Sequence, residues 1–437
     1  MALTKDELKK MALKAIDENR DKIIAYGDAV FKEPELGYKE FKTAEKTKKV
    51  FEELGIPCKD KIAITGVTGT LKGASSKVTI AVMGELDAVI TPAHPAADPA
   101  TGAAHACGHN CMMAGVVGAA YALATTDVMK HLDGNVELMG VPAEEYVELE
   151  YRKSLIDSGK ISLYTGKQEY VKLGELDHVD MIIMQHNGVI YTEGKKACAG
   201  YASNGAIGKI INYIGKASHA GAAPHLGINA LNAAKIGLIA VDAQRETFQD
   251  KDSIRVHPVI TKGGDLVNVV PDDVRIETYV RGNNIDAMFD AEKKVDRAFK
   301  AGADAVGAEC IIHTLPGCLP LIPYNGIMDV FYANMCELFG EENVEHTGSP
   351  LRGGTDAGDM SYIMPTLHAG FGGVEGPIHS KDFVISDKDI AYIAVAKCYV
   401  MTVIDLLYDG AKTALDVKAK FKPVMTKEQY LKDWCKL

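Results

Sequence analysis

Cys107 and His109, two positions apart in His105-Ala106-Cys107-Gly108-His109-Asn110, carry the clearest chemical content of the chain. A thiolate and an imidazole so spaced, at the entrance to a helix, suit a borderline-soft divalent cation. A second segment, Val141-Pro142-Ala143-Glu144-Glu145, sets two consecutive carboxylates directly after an apolar run. Neighbouring side chains on a turning backbone point in different directions, so one carboxylate can ligate while the other faces a bound water as general base. His186 follows the run Met181–Gln185, and His379 lies in Gly376-Pro377-Ile378-His379-Ser380, after the glycine-rich loop Gly353–Asp359. Taken singly, these features also fit a buried thiol, a solvated acidic loop and hydrogen-bonded structural histidines. Taken together, one Cys, three His and one Glu suffice for two divalent ions that share a bridging ligand.

The elements that must position these residues read as two patterns. Up to about Ala199, short apolar runs (Val78–Met83, Val136–Val141, Met181–Met184) alternate with helical stretches such as Met112–Ala124, which is the grammar of an α/β domain with a mostly parallel sheet. In such a sheet the ligand crevice lies beyond the carboxyl ends of the strands, which is where Glu144, Glu145 and His186 fall. From Tyr201 the order becomes strand Lys209–Tyr213, helix Ile228–Gln244, strands Ile254–Thr261 and Val274–Val280, helix Ile285–Ala305 and strand Cys310–Thr314. This βαββαβ order is that of a ferredoxin-like unit. The expectation is therefore a catalytic domain of residues 1–200 and 316–437, with an inserted domain of residues 201–315.

Composition narrows the function classes. The 437 residues exceed what one core usually supports. A balance of 48 Lys+Arg against 59 Asp+Glu, net −11, has the wrong sign for a nucleic-acid binder. The amino-terminal stretch is interrupted by charge every few positions, so it reads as a capped helix starting at Thr4 and Glu7 rather than as a signal or anchor. No run is expected to cross a membrane. Nine scattered cysteines, an odd number without CxxC pairs, point to reduced thiols and a cytoplasmic setting.

The chain resembles the aminoacylase, hippurate hydrolase and aminobenzoyl-glutamate hydrolase family of dinuclear-metal peptidases and amidohydrolases, and is closest to the aminobenzoyl-glutamate hydrolase-like branch. The resemblance rests on Pro34-Glu35-Leu36 with Glu40 and Thr43, Gly84–Ala88, His105–Asn110 and Pro142–Glu145. It continues through Ser218-His219-Ala220 before Pro224, Gly227–Leu231, Gly264–Pro271, Thr355-Asp356 with Gly358, and His379-Ser380 with Phe383. The resemblance implies that Cys107 bridges two divalent ions, Zn2+ or Mn2+. His109 and His186 would complete one site, and Glu145 and His379 the other. Glu144 would be the general base and Asp87 would orient the cluster. It further implies a homodimer formed through the inserted lid domain, with His219 reaching the partner's site as an oxyanion donor. Asn268 and Arg281 would lie near a substrate carboxylate, which a guanidinium fork pairs in two bonds.

The reaction implied is metal-dependent hydrolysis of the amide bond of small N-acyl or N-aroyl amino acids or dipeptides with a free carboxylate. Three features depart from the common pattern. Asn110 stands where many relatives carry Asp, which removes a charge beside the cluster, and Cys111-Met112 follow in place of a second His. The loops 88–104 and 146–180 are long and adjoin the motifs, with His94 expected on the surface. Competing readings are a thiol hydrolase built on Cys107, a zinc nucleobase deaminase, which lacks its HxE and CxxC signatures, and a non-catalytic metal-binding descendant that acts as a binding module.

Overall fold

The computed structural model describes residues 3–188 and 194–436. In chain order the strands are β1 (Cys58–Ile62), β2 (Gly66–Leu71), β3 (Thr79–Glu85), β4 (Asn135–Val141), β5 (Met181–Asn187) and β6 (Ala197–Cys198). They continue as β7 (Gly205–Ile214), β8 (Arg255–Val256), β9 (Val259–Lys262), β10 (Asp273–Gly282), β11 (Glu309–Cys318), β12 (Val344–Glu345) and β13 (Thr366–Phe371). The chain divides into two compact units. One comprises Met1–Ala202, Ile322–Leu351 and Asp359–Tyr430; the other comprises Ser203–Leu321, Arg352–Gly358 and Leu431–Leu437.

The larger unit is built on an eight-stranded sheet in the order β1-β2-β4-β3-β5-β13-β6-β12. Its centre is parallel: β3 pairs with β4 and β5, and β5 with β13, all in the same direction. β3, β5 and β13 are buried along their whole length, as expected for strands covered on both faces. This is why they read as continuous apolar runs rather than alternating ones. Parallelism also brings the carboxyl ends of β3, β4 and β5 to one edge.

The helix His109–Ala124 lies under this sheet and is buried on nearly every side. Its small residues permit close helix contact: a β-carbon on Gly115 would come within 2.4 Å of Val395, and one on Gly118 within 2.4 Å of Ala396. The partner is the run Asp389–Lys420, which is long and apolar enough to cross a membrane by length and composition, with a mean hydropathy of 1.8. Its apolar window is 83% buried inside the protein, so it packs as core helix, interrupted by a kink at Tyr408–Ala411. At the amino end, Thr4 and Glu7 form the capping box that their spacing suggests.

The smaller unit is an antiparallel sheet in the order β8-β10-β7-β11, with β9 also on β10. Along β10, buried and half-exposed residues alternate strictly, so only one face is covered. The helices Ala230–Ala243 and Ile285–Asp304 both pack against the sheet. The single strand expected at Ile254–Thr261 is broken into β8 and β9, because Pro258 has no N–H to give a ladder. Pairing resumes beyond it in the same register, with Val256 opposite Val280 and Val259 opposite Glu277. The last residues belong to this unit, where the Trp434 ring meets Phe289 edge-on at 6.4 Å between centroids.

Candidate metal centre

Three strand ends deliver the site. β3 ends at Glu85, and Asp87 follows two residues later, so both side chains fall on one side of the extended backbone. β4 ends at Val141 and turns through Pro142 and Ala143 to Glu144 and Glu145. His186 occupies the last turn of pleat in β5. Gly108, at φ 88°, starts the helix that carries His109, a left-handed conformation that glycine adopts without strain. His379 itself sits at φ 60°, and its N–H is held by the carbonyl of Ala106 at 2.7 Å.

The side chains converge as two triads with one shared member. Cys107, His109 and His186 form one, and Cys107, Glu145 and His379 the other, each with ligand atoms within 4.8 Å of one another. Cys107 Sγ lies 3.2 Å from His186 Nε2 and 3.2 Å from His379 Nε2. His379 Nε2 lies 2.9 Å from Glu145 Oε1. Glu85, His109 and Glu144 form a third group of the same kind. There His109 Nε2 is 3.1 Å from Glu85 Oε2 and 3.9 Å from Glu144 Oε2.

Charge in this cluster is displaced accordingly. Burial and the charge of Glu145 push the Cys107 thiol up, but the surrounding imidazoles outweigh both and bring it down to about 6. Burial opposes ionisation of Glu145, while His379 and His109 pull its carboxyl down to about 2. Burial opposes charge on His109, His186 and His379 too, yet their anionic neighbours raise all three. Meanwhile Glu85 Oε2, His109 Nε2 and Glu145 Oε1 are buried without a well-aligned hydrogen bond, and their near neighbours at 2.9–3.1 Å are other members of the cluster. Unsatisfied buried polar atoms are rare in folded proteins. Here they converge beside a thiolate and imidazoles, the donor set a divalent cation completes.

A profile of Peptidase family M20/M25/M40 matches residues 81–402. The chain belongs to that family. As a member it is a hydrolase of peptide or amide bonds, and the family includes dinuclear metal-binding peptidases. Among curated relatives, the Xaa-Arg dipeptidase of Mus musculus is 27% identical, covering 97% of this chain and 94% of its own. The hippurate hydrolase of Campylobacter jejuni is 26% identical, covering 84% of this chain and 92% of its own. Solved structures with the same fold include an aminobenzoyl-glutamate utilization protein from Klebsiella pneumoniae, with a TM-score of 0.68 at 16% identity over 91% of this chain and 98% of its own. A dinuclear metal binding peptidase from Bacillus subtilis superposes with a TM-score of 0.63 at 20% identity, over 90% and 99%.

Around the triads, this M20-family chain places further groups, Asp87 and Asn110 among those its motifs mark and Glu85 and Lys167 beyond them. Asp87 is fully buried; its Oδ1 lies 3.2 Å from His109 Nδ1, and its Oδ2 accepts the backbone N–H of Glu145 at 2.9 Å. Glu85 Oε1 pairs with the fully buried Lys167 at 2.6 Å. The alternation along β3 into Asp87 is the available signal for Glu85; Lys167 leaves none, because the segment 146–180, expected as a loop, instead holds the helices Leu149–Asp157 and Gly166–Leu173, the second of which carries it. Asn110 donates its amide to Tyr392 Oη at 3.1 Å and to the Gly27 carbonyl at 3.4 Å, so it ties helices together. His94 departs from the surface position expected for it: it is buried, its Nε2 meets the Phe383 carbonyl at 2.8 Å, and loop 88–104 packs beneath the His379 segment.

The remaining candidates lie in the smaller unit. His219 is exposed and forms a bridge with Val269, and the carbonyl of Asn268 accepts the N–H of Ala220 at 2.9 Å, so these two segments run side by side. His219 Nδ1 accepts backbone N–H groups from Gly221 at 3.2 Å and Ala222 at 3.0 Å. Arg281 is half-buried on β10, with its guanidinium 5.0 Å over the Tyr279 ring.

Proposed function

We propose that this hydrolase cleaves the amide bond of small N-acyl or N-aroyl amino acids or dipeptides with a free carboxylate, using two divalent ions, Zn2+ or Mn2+. The observation that carries the reading is the pair of ligand triads sharing Cys107, with Glu144 beside them. A dipeptidase and a hippurate hydrolase among the relatives support the substrate class. Cys107, His109 and His186 would hold one ion, and Cys107, Glu145 and His379 the other. When bound, the ions supply Lewis acidity and lower the pKa of water toward ~7.

Glu144 takes the proton from the attacking water as the carbon–oxygen bond forms, then gives it to the departing amine as the carbon–nitrogen bond breaks. Asp87 fixes the His109 ring and the Glu145 backbone. With Nδ1 accepting two N–H groups, His219 carries its proton on Nε2, the form that donates to an oxyanion. We infer that it does so in the partner subunit of a homodimer. Exposed Ile236 and Ile239 on one helix, with Val259 and Ile260 on β9, support an interface through this unit. Asn268 and Arg281 are assigned to the substrate carboxylate, and the scattered free cysteines support a cytoplasmic location.

The test is a hydrolysis screen of purified protein loaded with Zn2+ or Mn2+, set against N-acetyl, benzoyl and aminobenzoyl amino acids and dipeptides. Turnover of at least one class, abolished by chelator, is expected. A metal-loaded protein inert across the panel overturns the reading.

A further inference from the structure

The turn that presents Glu144 and Glu145 is held from outside by charged side chains buried around it. Ala143 sits at φ 57°, a left-handed conformation uncommon for a residue with a side chain. Its N–H is taken by Glu40 Oε1 at 2.8 Å, and the N–H of Glu145 by Asp87 Oδ2 at 2.9 Å. The carbonyls of Ala143 and Glu145 both meet one guanidinium, and that of Glu145 also accepts the N–H of Val147 at 2.8 Å. Arg152, on the helix Leu149–Asp157, is only 1% exposed. Its Nη1 donates to the carbonyls of Ala143 at 3.1 Å and Tyr164 at 2.8 Å, and its Nη2 donates to the carbonyl of Glu145. The guanidinium lies 5.5 Å from the Tyr38 ring centroid. Opposite, a β-carbon on Gly37 would fall 2.6 Å from Arg152 Nη2 and 3.0 Å from Ala143 Cα, so the chain is bare where the clamp sits.

We propose that Arg152 is a positioning residue of the metal centre: by gripping the carbonyls on either side of Glu144, it keeps Ala143 left-handed and sends the two carboxylates to different partners. Glu145 then reaches His379 at 2.9 Å while Glu144 turns toward His109, 3.9 Å away. A rigid, planar fork suits this task, because it fixes the direction of several bonds at once. Lysine, with one point-like ammonium on a flexible stem, does not. Without the clamp, the turn relaxes toward the right-handed or extended region and both carboxylates rotate together. The inference rests on the reading of Glu145 as a ligand and Glu144 as the base.

The experiment uses the full-length protein with Arg152→Lys and Arg152→Ala, measuring Zn2+ stoichiometry and affinity, thermal unfolding, and kcat and KM per folded molecule. Wild type is expected to bind two ions. Both variants are expected to keep the ion held by Cys107, His109 and His186, and to bind the other about 10- to 100-fold more weakly. kcat is expected to fall by a similar factor while KM changes little. Millimolar ethylguanidinium, but not ethylammonium, is expected to restore part of both losses in Arg152→Ala, a rescue that a purely structural role would not show. Folded variants with wild-type affinity and kcat overturn the proposal, as do two variants that both fail to fold, since Arg152 then serves folding alone. A wild type that binds no Zn2+ overturns the metal reading beneath it, and does so before any variant is made.

Discussion

The carboxylate of Asp87 accepts the backbone N–H of Glu145 at 2.9 Å, and through its other oxygen it meets His109 Nδ1 at 3.2 Å. One buried residue thus ties a member of each triad: its carboxylate and, at 2.9 Å, its backbone carbonyl both meet His109 Nδ1, which leaves Nε2 directed at the cluster. Asp87→Ala is expected to weaken metal binding by about 10- to 100-fold, the cost usual for such supporting contacts. Competition against a chelator measures it; unchanged affinity would mean that Asp87 orients neither ligand.

Glu144→Gln separates ligation from proton transfer. The side chain is isosteric but cannot take up a proton, so metal content should stay at the wild-type level while kcat falls by about 10²- to 10⁴-fold. Normal turnover in that variant would remove Glu144 from the reaction.

Metal affinity is expected to rise with pH, with a break near 6. The cation binds the deprotonated ligands, so every group that still holds a proton adds one to be displaced. The raised imidazoles of His109, His186 and His379 contribute at neutral pH, and Cys107, with its thiol at about 6, joins them only as the pH drops through that value. Each displaced proton makes affinity fall about tenfold per pH unit. Titrations from pH 8 to 5 should therefore show a steeper slope below about 6 than above it. A constant slope would show that the Cys107 thiol does not titrate near 6.

Lys167→Met should destabilise the metal-free protein by about 3–5 kcal/mol, because it leaves the Glu85 carboxylate buried without its 2.6 Å partner. Since Glu85 also groups with His109 and Glu144, added Zn2+ should recover part of that loss. Urea unfolding with and without metal measures both effects; a loss below about 1 kcal/mol would show that the pair is not the neutralising contact.

Local pattern carried much of the architecture. Strands covered on both faces appear as apolar runs at β3 and β5, and the change to βαββαβ order is visible near Tyr201 because element order needs only periodicity and length. Where one residue overrode the pattern the reading blurred: Pro258 split a strand whose β-branched composition had suggested a single element. The surface position expected for His94 fails for another reason. Burial in a loop depends on which distant segment packs on it, here the one around Phe383.

The sequence alone marked which side chains have metal-binding and acid–base chemistry, since residue type and neighbouring motif are properties of short stretches. Tertiary structure alone decided which of them meet. Cys107 lies 79 positions from His186 and 272 from His379, and only a parallel sheet that brings several strand ends to one edge closes those gaps to 3.2 Å. The same holds for Arg152, Lys167 and Glu85. A charged residue in a string looks solvated, and what takes it into the interior is a set of carbonyls or an opposite charge supplied by another part of the fold.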